Sequence, residues 1–391
     1  MNIGMILEAP FPPDVRVEKE AKSLSGAGHT VIILAIKAND DLLFEEVDGY
    51  FIYRFDLAKH HVLKNLTRDY RQLRFIDPLW KKEINTFVKQ HEIDVLHVHD
   101  LPLVKTALKI GEKQRIRVIV DYHENYPAQI EAFNKPGMSV RKKYYRSYKR
   151  WAALEESVSS SVEHIITVAQ EYKKHLINVH GIPESKITIV QNVFDMQSAH
   201  DTVQVIKKSI NQYIISYVGS YGSHRGLDVV VQAMPVILEH IPNARFEIIG
   251  RGRIKKELLA LANDYNVSNA VRIFDWMRYD KIVEHFYQAD IGVIPHHASE
   301  HTNTTIPNKL FEYMYYKVPL LVSDLPPLKR IVLETGAGVY FNAGDPADFA
   351  RQVLEIHDKP NTYGENGHKA VIGKYNWNNE AKKLINLYNK I

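Results

Sequence analysis

The sequence predicts two doubly wound α/β domains, and three observations carry that prediction. Short β-branched runs alternate with helix-period segments along the whole chain, the pattern of parallel sheets covered by helices. Several of those runs are almost continuously apolar, as strands buried on both faces must be. The length of 391 residues exceeds what a single hydrophobic core organises.

In the first half the expected strands are Asn2–Leu7, Thr30–Ala35, Asp94–Val98, Arg117–Tyr122, His164–Val168 and Lys186–Val190. In the second half they are Tyr213–Val218, Arg245–Ile249, Val271–Phe274, Ile291–Ile294, Pro319–Val322 and Gly338–Tyr340. Periodic segments between them, such as Val17–Ala27 and Ile254–Asn263, read as helices. The domain boundary is expected between Phe194 and Gln212, in a stretch with no strong period. A closing helical segment, Asn376–Ile391, has no strand after it and is expected to return to the first domain.

Composition sets limits on function. The chain is 45% apolar and 25% charged, ordinary for a soluble globular protein. No window approaches a membrane-spanning apolar run. The first residues, MNIGMILEAP, lack a basic region and a cleavage site, and read as a buried strand. With no cysteine, disulfide and thiolate chemistry are excluded. A formal charge of +4 is too small to point to nucleic acid.

Ligands of such sheets bind beyond the carboxyl ends of the strands, so those loops hold the candidate residues, and two such domains would face each other across a cleft. After the first strand, Asp14 and Arg16 follow three prolines; they fit a rigid turn with a capping aspartate and also a loop that binds an acceptor. His123 and Glu124 follow Arg117–Tyr122. A neutral imidazole there would position a hydroxyl or support developing positive charge, while a lone histidine at a strand end is also commonly structural.

After Tyr213–Val218 comes GSYGSHRG, where Gly219, Ser220 and Arg225 precede a helix. Glycines let backbone amides approach an anion, and arginine adds a charge-assisted bond; a plain strand-to-helix turn reads the same way. Gly250 sits in a similar turn. His296, His297 and His301 lie in one loop without a carboxylate cluster, a poor metal-binding pattern.

The stretch TNTTIPNKLFEYMYY starts a helix near Pro307, with Asn308 and Glu312 on one face at i and i+4. Glu312 stands about 7 Å up the axis from Pro307, at about 1.5 Å per residue. That spacing suits a diphosphate near Thr304, Thr305 and Lys309 and paired ribose hydroxyls on Glu312, although a lone helix glutamate is more often solvated. Base contacts are expected partly from backbone near Phe274–Arg278.

In order, PPDVRVEKEAKSLSGAGHTV, DYHENYP, HIITVAQEYKKHL, GIPESKITIVQNVFD, YVGSYGSHRGLDVVVQAM, FEIIGRGR and IPNKLFEYMYYKVPLLVSD resemble the retaining glycosyltransferases of family four. The resemblance spans nearly the whole chain and implies the GT-B architecture. It implies an acceptor-binding domain over 1–195, a linker over 196–212, a nucleotide-sugar domain over 213–374 and a return helix over 375–391. It also implies a metal-independent enzyme that moves sugar from a UDP- or GDP-sugar to a glycan or lipid-linked acceptor, with no cofactor. By it Glu312 matches the ribose-binding glutamate, Arg225 the basic residue of the phosphate motif, and His123 the histidine facing the donor sugar. Two positions depart from the family pattern. The first glutamate of Glu-x7-Glu falls on Thr304, and the usual Gly-Arg is Gly219-Ser220; Lys309 is the substitute cation for the diphosphate.

Other readings of the same architecture are a nucleotide-sugar epimerase and a non-catalytic nucleotide-sugar-binding module. Residues 135–151 concentrate Lys135, Arg141, Lys142, Lys143, Arg146, Lys149 and Arg150 among Tyr144, Tyr145, Tyr148 and Trp151. They form either a solvated basic face or a contact for anionic lipid. The latter suits a cytoplasmic enzyme of surface polysaccharide or glycolipid assembly, peripheral on the inner face of the membrane. No nucleic-acid module accompanies the patch.

Overall fold

The computed structural model describes residues 1–38, 41–134, 137–198, 211–359 and 362–391. The chain divides into two compact units, Met1–Gln191 with Glu380–Ile391, and Asn192–Asn379. The boundary falls after Gln191, ahead of the expected stretch. Phe194 belongs to the second unit because its backbone pairs with Asn376 and its ring lies on Tyr315. Most of the expected linker, 199–210, lies outside the described residues. The closing helix is Trp377–Tyr388, and it joins the first unit from Glu380 onward.

Among the described residues, the first unit holds eight strands: β1 (Asn2–Pro10), β2 (Thr30–Ile36), β3 (Phe44–Val47), β4 (Tyr50–Phe55), β5 (Val95–His99), β6 (Arg117–Tyr122), β7 (His164–Thr167) and β8 (Ile187–Ile189). Their order is β3-β4-β2-β1-β5-β6-β7-β8, parallel except for the antiparallel β3–β4 pair. That hairpin is absent from the sequence expectation. Its turn is Asp48-Gly49, both at positive φ, and a two-residue Asp-Gly turn between alternating strands was the signal that could have revealed it.

The second unit holds β9 (Tyr213–Val218), β10 (Ala244–Ile249), β11 (Val271–Phe274), β12 (Ile291–Ile294), β13 (Leu320–Ser323) and β14 (Gly338–Phe341). Their order is β11-β10-β9-β12-β13-β14. Within the unit this is third, second, first, fourth, fifth, sixth, the doubly wound order whose direction reverses between its first and fourth strands. Its core packs Val229, Met234, Phe246, Ile248, Val293, Leu321 and Phe349 between sheet and helices. The buried faces on both sides explain why its strands read as unbroken apolar runs.

Candidate functional site

In the second unit the ends of β9 and β12 flank the reversal of strand order, where open α/β sheets bind ligands. Gly226 (φ +64) leads into the helix Leu227–His240. A Cβ there would lie 1.8 Å from the carbonyl oxygen of Pro295, so only glycine lets the two strand-end loops meet. That contact brings Arg225, after β9, onto His296, after β12. Arg225 Nη1 donates to His296 Nε2 at 3.1 Å, which requires that nitrogen to be unprotonated. Burial, then Arg225 and Lys309, hold the His296 imidazole well below its usual range. Burial first and Arg225 next push His224 down to about 3, and burial with Arg225 pushes His301 down to about 4. The imidazoles are neutral, and the guanidinium sets the positive field.

The helix Lys309–Tyr315 is pinned to β9 by Tyr313. Its buried hydroxyl accepts from Val218 N at 3.0 Å and donates to Ser216 O at 2.9 Å. One turn earlier, Lys309 is thereby carried to Gly219, with its Nζ 3.5 Å from the centroid of the Tyr217 ring. Tyr217 in turn donates to the Ser220 carbonyl at 2.7 Å. Gly250 is buried with its backbone against Gly219. Glu312 is partly exposed on the same helix. Burial and the Glu312 charge hold the Tyr279 phenol far above its usual range, so Glu312 sits close to Tyr279.

Two expected donors to a diphosphate are otherwise engaged. Thr304 Oγ1 donates to Glu300 O at 2.9 Å and His301 O at 3.2 Å, and Thr305 Oγ1 donates to His301 O at 3.2 Å. Each hydroxyl has one proton to give, and here it is given to the turn. Asn308 stands at the N-cap position without a side-chain capping bond and is exposed, and Ser220 is exposed in its loop.

In the first unit the strand ends build a buried charge cluster. Arg16 is 3% exposed. Its Nε and Nη2 donate to the two oxygens of Asp121, both at 2.7 Å, and its Nη1 donates to Val190 O at 2.9 Å. Arg16 is therefore a buried cation whose guanidinium donors are taken by Asp121 and Val190. Asp14 caps the helix Val15–Gly26 by accepting from Arg16 N and Val17 N. Asp121 is held well below the carboxylate range despite burial, by Arg16 and His123. Burial pushes Glu20 up to about 8 against the pull of Arg16. His97 Nδ1 lies 2.7 Å from Tyr388 Oη.

His123 lies at the rim of this cluster, 17% exposed, with Nε2 3.0 Å from Asp121 Oδ2 and Nδ1 3.7 Å from Asp100 Oδ2. Burial alone would lower its pKa; Asp100 and Asp121 outweigh that and raise it to about 10. The two carboxylates thus favour the imidazolium form, where the sequence reading had a neutral imidazole. Glu124 accepts from Gln129 Nε2. Asp100 went unrecognised in the sequence. It sits at φ 62, ψ 166, a region that non-glycine residues avoid, and its Oδ1 accepts from His123 N at 3.1 Å.

Among the described residues, two groups bring ligand atoms close enough for a metal: Glu20, His97, His99 and Asp121, and Glu155, His175 and His180. In the first, both oxygens of Asp121 already accept from the Arg16 fork. In the second, Glu155 bonds His180 at 2.8 Å and also accepts from Tyr172. The loop histidines do not form such a group: His297 pairs with Asp228 at 3.0 Å, and His296 takes Arg225.

The basic stretch is only partly displayed. Lys142, Lys143 and Lys149 are exposed beside Val140 and Tyr144. Arg146 binds Asn134, Arg150 lies over the rings of Phe75 and Tyr144, and Trp151 is buried. Lys135 lies outside the described residues. Among the described residues no helix is long and apolar enough to cross a membrane.

The sequence and the fold have counterparts in known proteins. A family model for glycosyltransferase family 4 matches residues 14–198, and one for glycosyl transferases group 1 matches 212–359. An uncharacterized glycosyltransferase of Methanocaldococcus jannaschii is 23% identical over 381 residues, covering 94% of this chain and 91% of its own. The alpha-monoglucosyldiacylglycerol synthase of Acholeplasma laidlawii is 19% identical, covering 99% and 96%. Among solved structures, sucrose-phosphate synthase from Thermosynechococcus elongatus superposes with a TM-score of 0.79 at 14% identity, covering 100% of this chain and 98% of its own. Anabaena HepE in complex with UDP-glucose gives 0.75 at 13%, covering 100% of both chains. The two family matches together span most of both units, and with relatives matched over nearly their full length the chain belongs to the family 4, group 1 glycosyltransferases of GT-B fold.

Proposed function

We propose that this glycosyltransferase takes its sugar from a UDP- or GDP-sugar, retains the anomeric configuration and needs no metal ion. The observation that carries the donor assignment is the convergence of Arg225 and Lys309 at the strand-order reversal, with Glu312 one turn along the same helix. Two cations suit the diphosphate, and a carboxylate suits the ribose hydroxyls. The chemistry is then stabilisation of the leaving diphosphate by positive groups positioned at the strand ends. His123, held as imidazolium in the first unit, is assigned to the donor sugar, with Glu124 beside it. That HepE was solved with UDP-glucose supports a uridine donor first.

A thermal-shift panel of nucleoside-diphosphate sugars tests the donor, because a ligand that binds only the folded state raises its stability. The binding donor is then carried into hydrolysis and transfer assays. Product anomers are read by NMR, and EDTA is expected to leave turnover unchanged. No shift with any UDP- or GDP-sugar would sink the assignment.

The acceptor is assigned to a glycan or lipid-linked glycan at the cytoplasmic face of a membrane, in surface polysaccharide or glycolipid assembly. The exposed Lys142, Lys143 and Lys149, next to Val140 (85% exposed) and Tyr144, supply the charge and apolar contact for peripheral binding to anionic lipid. Sedimentation with vesicles of anionic and of neutral lipid decides this; equal recovery with both would count against it.

A further inference from the structure

Lys309 is buried, 8% exposed, and its Nζ has no hydrogen-bond acceptor among the described residues. An ammonium carries three donors. Its favourable contact among the described residues is the face of Tyr217 at 3.5 Å. The charged and titratable groups around it are few. Arg225 opposes its charge from the turn after β9, and Glu312 supports it from its own helix. His224 and His296 face the same space and are neutral, and Tyr217 is a neutral phenol. Among the described residues no carboxylate hydrogen-bonds Nζ, and a permanent guanidinium stands near it. A buried cation in that setting gives up its proton instead of paying desolvation. Burial and Arg225 accordingly hold Lys309 well below the usual lysine range.

We propose that Lys309 holds the diphosphate of the nucleotide sugar by taking up a proton as the donor binds, so that donor binding and Lys309 protonation form one linked equilibrium. This rests on the donor assignment above. The proton comes from solvent, joins the Nζ lone pair and returns to solvent when the nucleotide leaves; no bond in the donor changes. Gly219 leaves room for Nζ, since a Cβ there would sit 2.7 Å from it and push that nitrogen aside. The sign follows from the two states. The amine is favoured in the free protein and the ammonium beside the diphosphate, so affinity falls as pH rises through the interval between them, by up to about tenfold per pH unit. Below that interval both states are protonated and affinity is flat. A nucleoside without phosphates takes up no proton.

The test is calorimetric titration of the full chain with UDP-glucose, and with GDP-glucose, at about pH 8, where the neutral histidines stay neutral. Runs in phosphate, HEPES and Tris separate the protonation heat from the binding heat. The expected result is uptake of about one proton per donor bound. In Lys309→Met the uptake vanishes and affinity drops. In Lys309→Arg, which is always protonated, the uptake also vanishes while affinity recovers relative to the methionine variant. Uridine is the control and should show none. Donor binding with heat independent of buffer overturns the linkage while leaving the donor assignment standing, as does uptake that persists in Lys309→Met. Binding of neither donor overturns the donor assignment, and the linkage with it.

Discussion

Arg16 and Asp121 are joined by two parallel hydrogen bonds of 2.7 Å, between residues 105 positions apart. Both side chains are buried, and a buried pair that loses one member leaves an uncompensated charge. Arg16→Met is expected to destabilise the first unit by about 3–5 kcal/mol. Arg16→Lys keeps the charge but loses the fork, and should recover only part of that. Urea unfolding measures both; a change near zero in Arg16→Met would show that the pair does not hold the unit together.

The same aspartate governs His123. Its folded-state pKa is raised to about 10 by Asp100 and Asp121 over the opposing effect of burial, against an ordinary value of about 6.5. The stability from this shift is fully present below about pH 6.5 and is lost as pH rises through about 10. NMR titration of the ring protons should therefore show a charged His123 from pH ~6 to ~9. Asp121→Asn is expected to bring that titration down toward the neutral range. Asp121 itself, held low, contributes stability that is present above about pH 4 and lost as pH falls through its folded value.

Glu312 is partly exposed, so Glu312→Gln should leave the fold intact. Weakened charge-assisted bonds to the two ribose hydroxyls, about 1.5–3 kcal/mol together, correspond to roughly 10- to 150-fold weaker binding of UDP-glucose. Calorimetry on a variant of unchanged melting temperature checks this. Unchanged affinity would move the ribose elsewhere.

Two glycines should fail in different ways. Gly226→Ala forces a Cβ to within 1.8 Å of a backbone oxygen, which cannot swing aside, and the second unit should lose more than about 2 kcal/mol. In Gly219→Ala the nearest atom is the flexible tip of Lys309 at 2.7 Å. Stability should fall by only about 1 kcal/mol for the strained φ, while donor affinity falls sharply. Paired unfolding and binding measurements separate the two.

The parallel strands were legible because burial on both faces writes a continuous apolar run, as in Ile291–Ile294. The antiparallel β3–β4 pair carries half-exposed alternation in β3 and its Asp48-Gly49 turn went unread. Arg225, Lys309 and Glu312 could be singled out in the sequence from their places after strands and along one helix. Their coupling was not, because it depends on Tyr313 reaching β9 across 97 positions. The charge cluster of the first unit stayed hidden for a similar reason. Asp121 is inside a strand and Glu20 inside a helix, and only the convergence of β1, β5 and β6 brings them together. The positive φ of Asp100 leaves no mark on the residue type.

The bond between His97 and Tyr388 spans 291 positions, and it orders events during synthesis. A ribosome releasing this chain exposes β1 to β8 long before residues 380–391 emerge, and the whole second unit is made in between. Until then the first unit's sheet lacks the segment whose tyrosine reaches His97 and whose Glu380 accepts from Gln191 N at 2.9 Å. Domains ordinarily fold in order of emergence. Here the unit that begins first is completed last, and nascent chains stalled before residue 380 should be digested by protease more readily in the first unit than the finished protein.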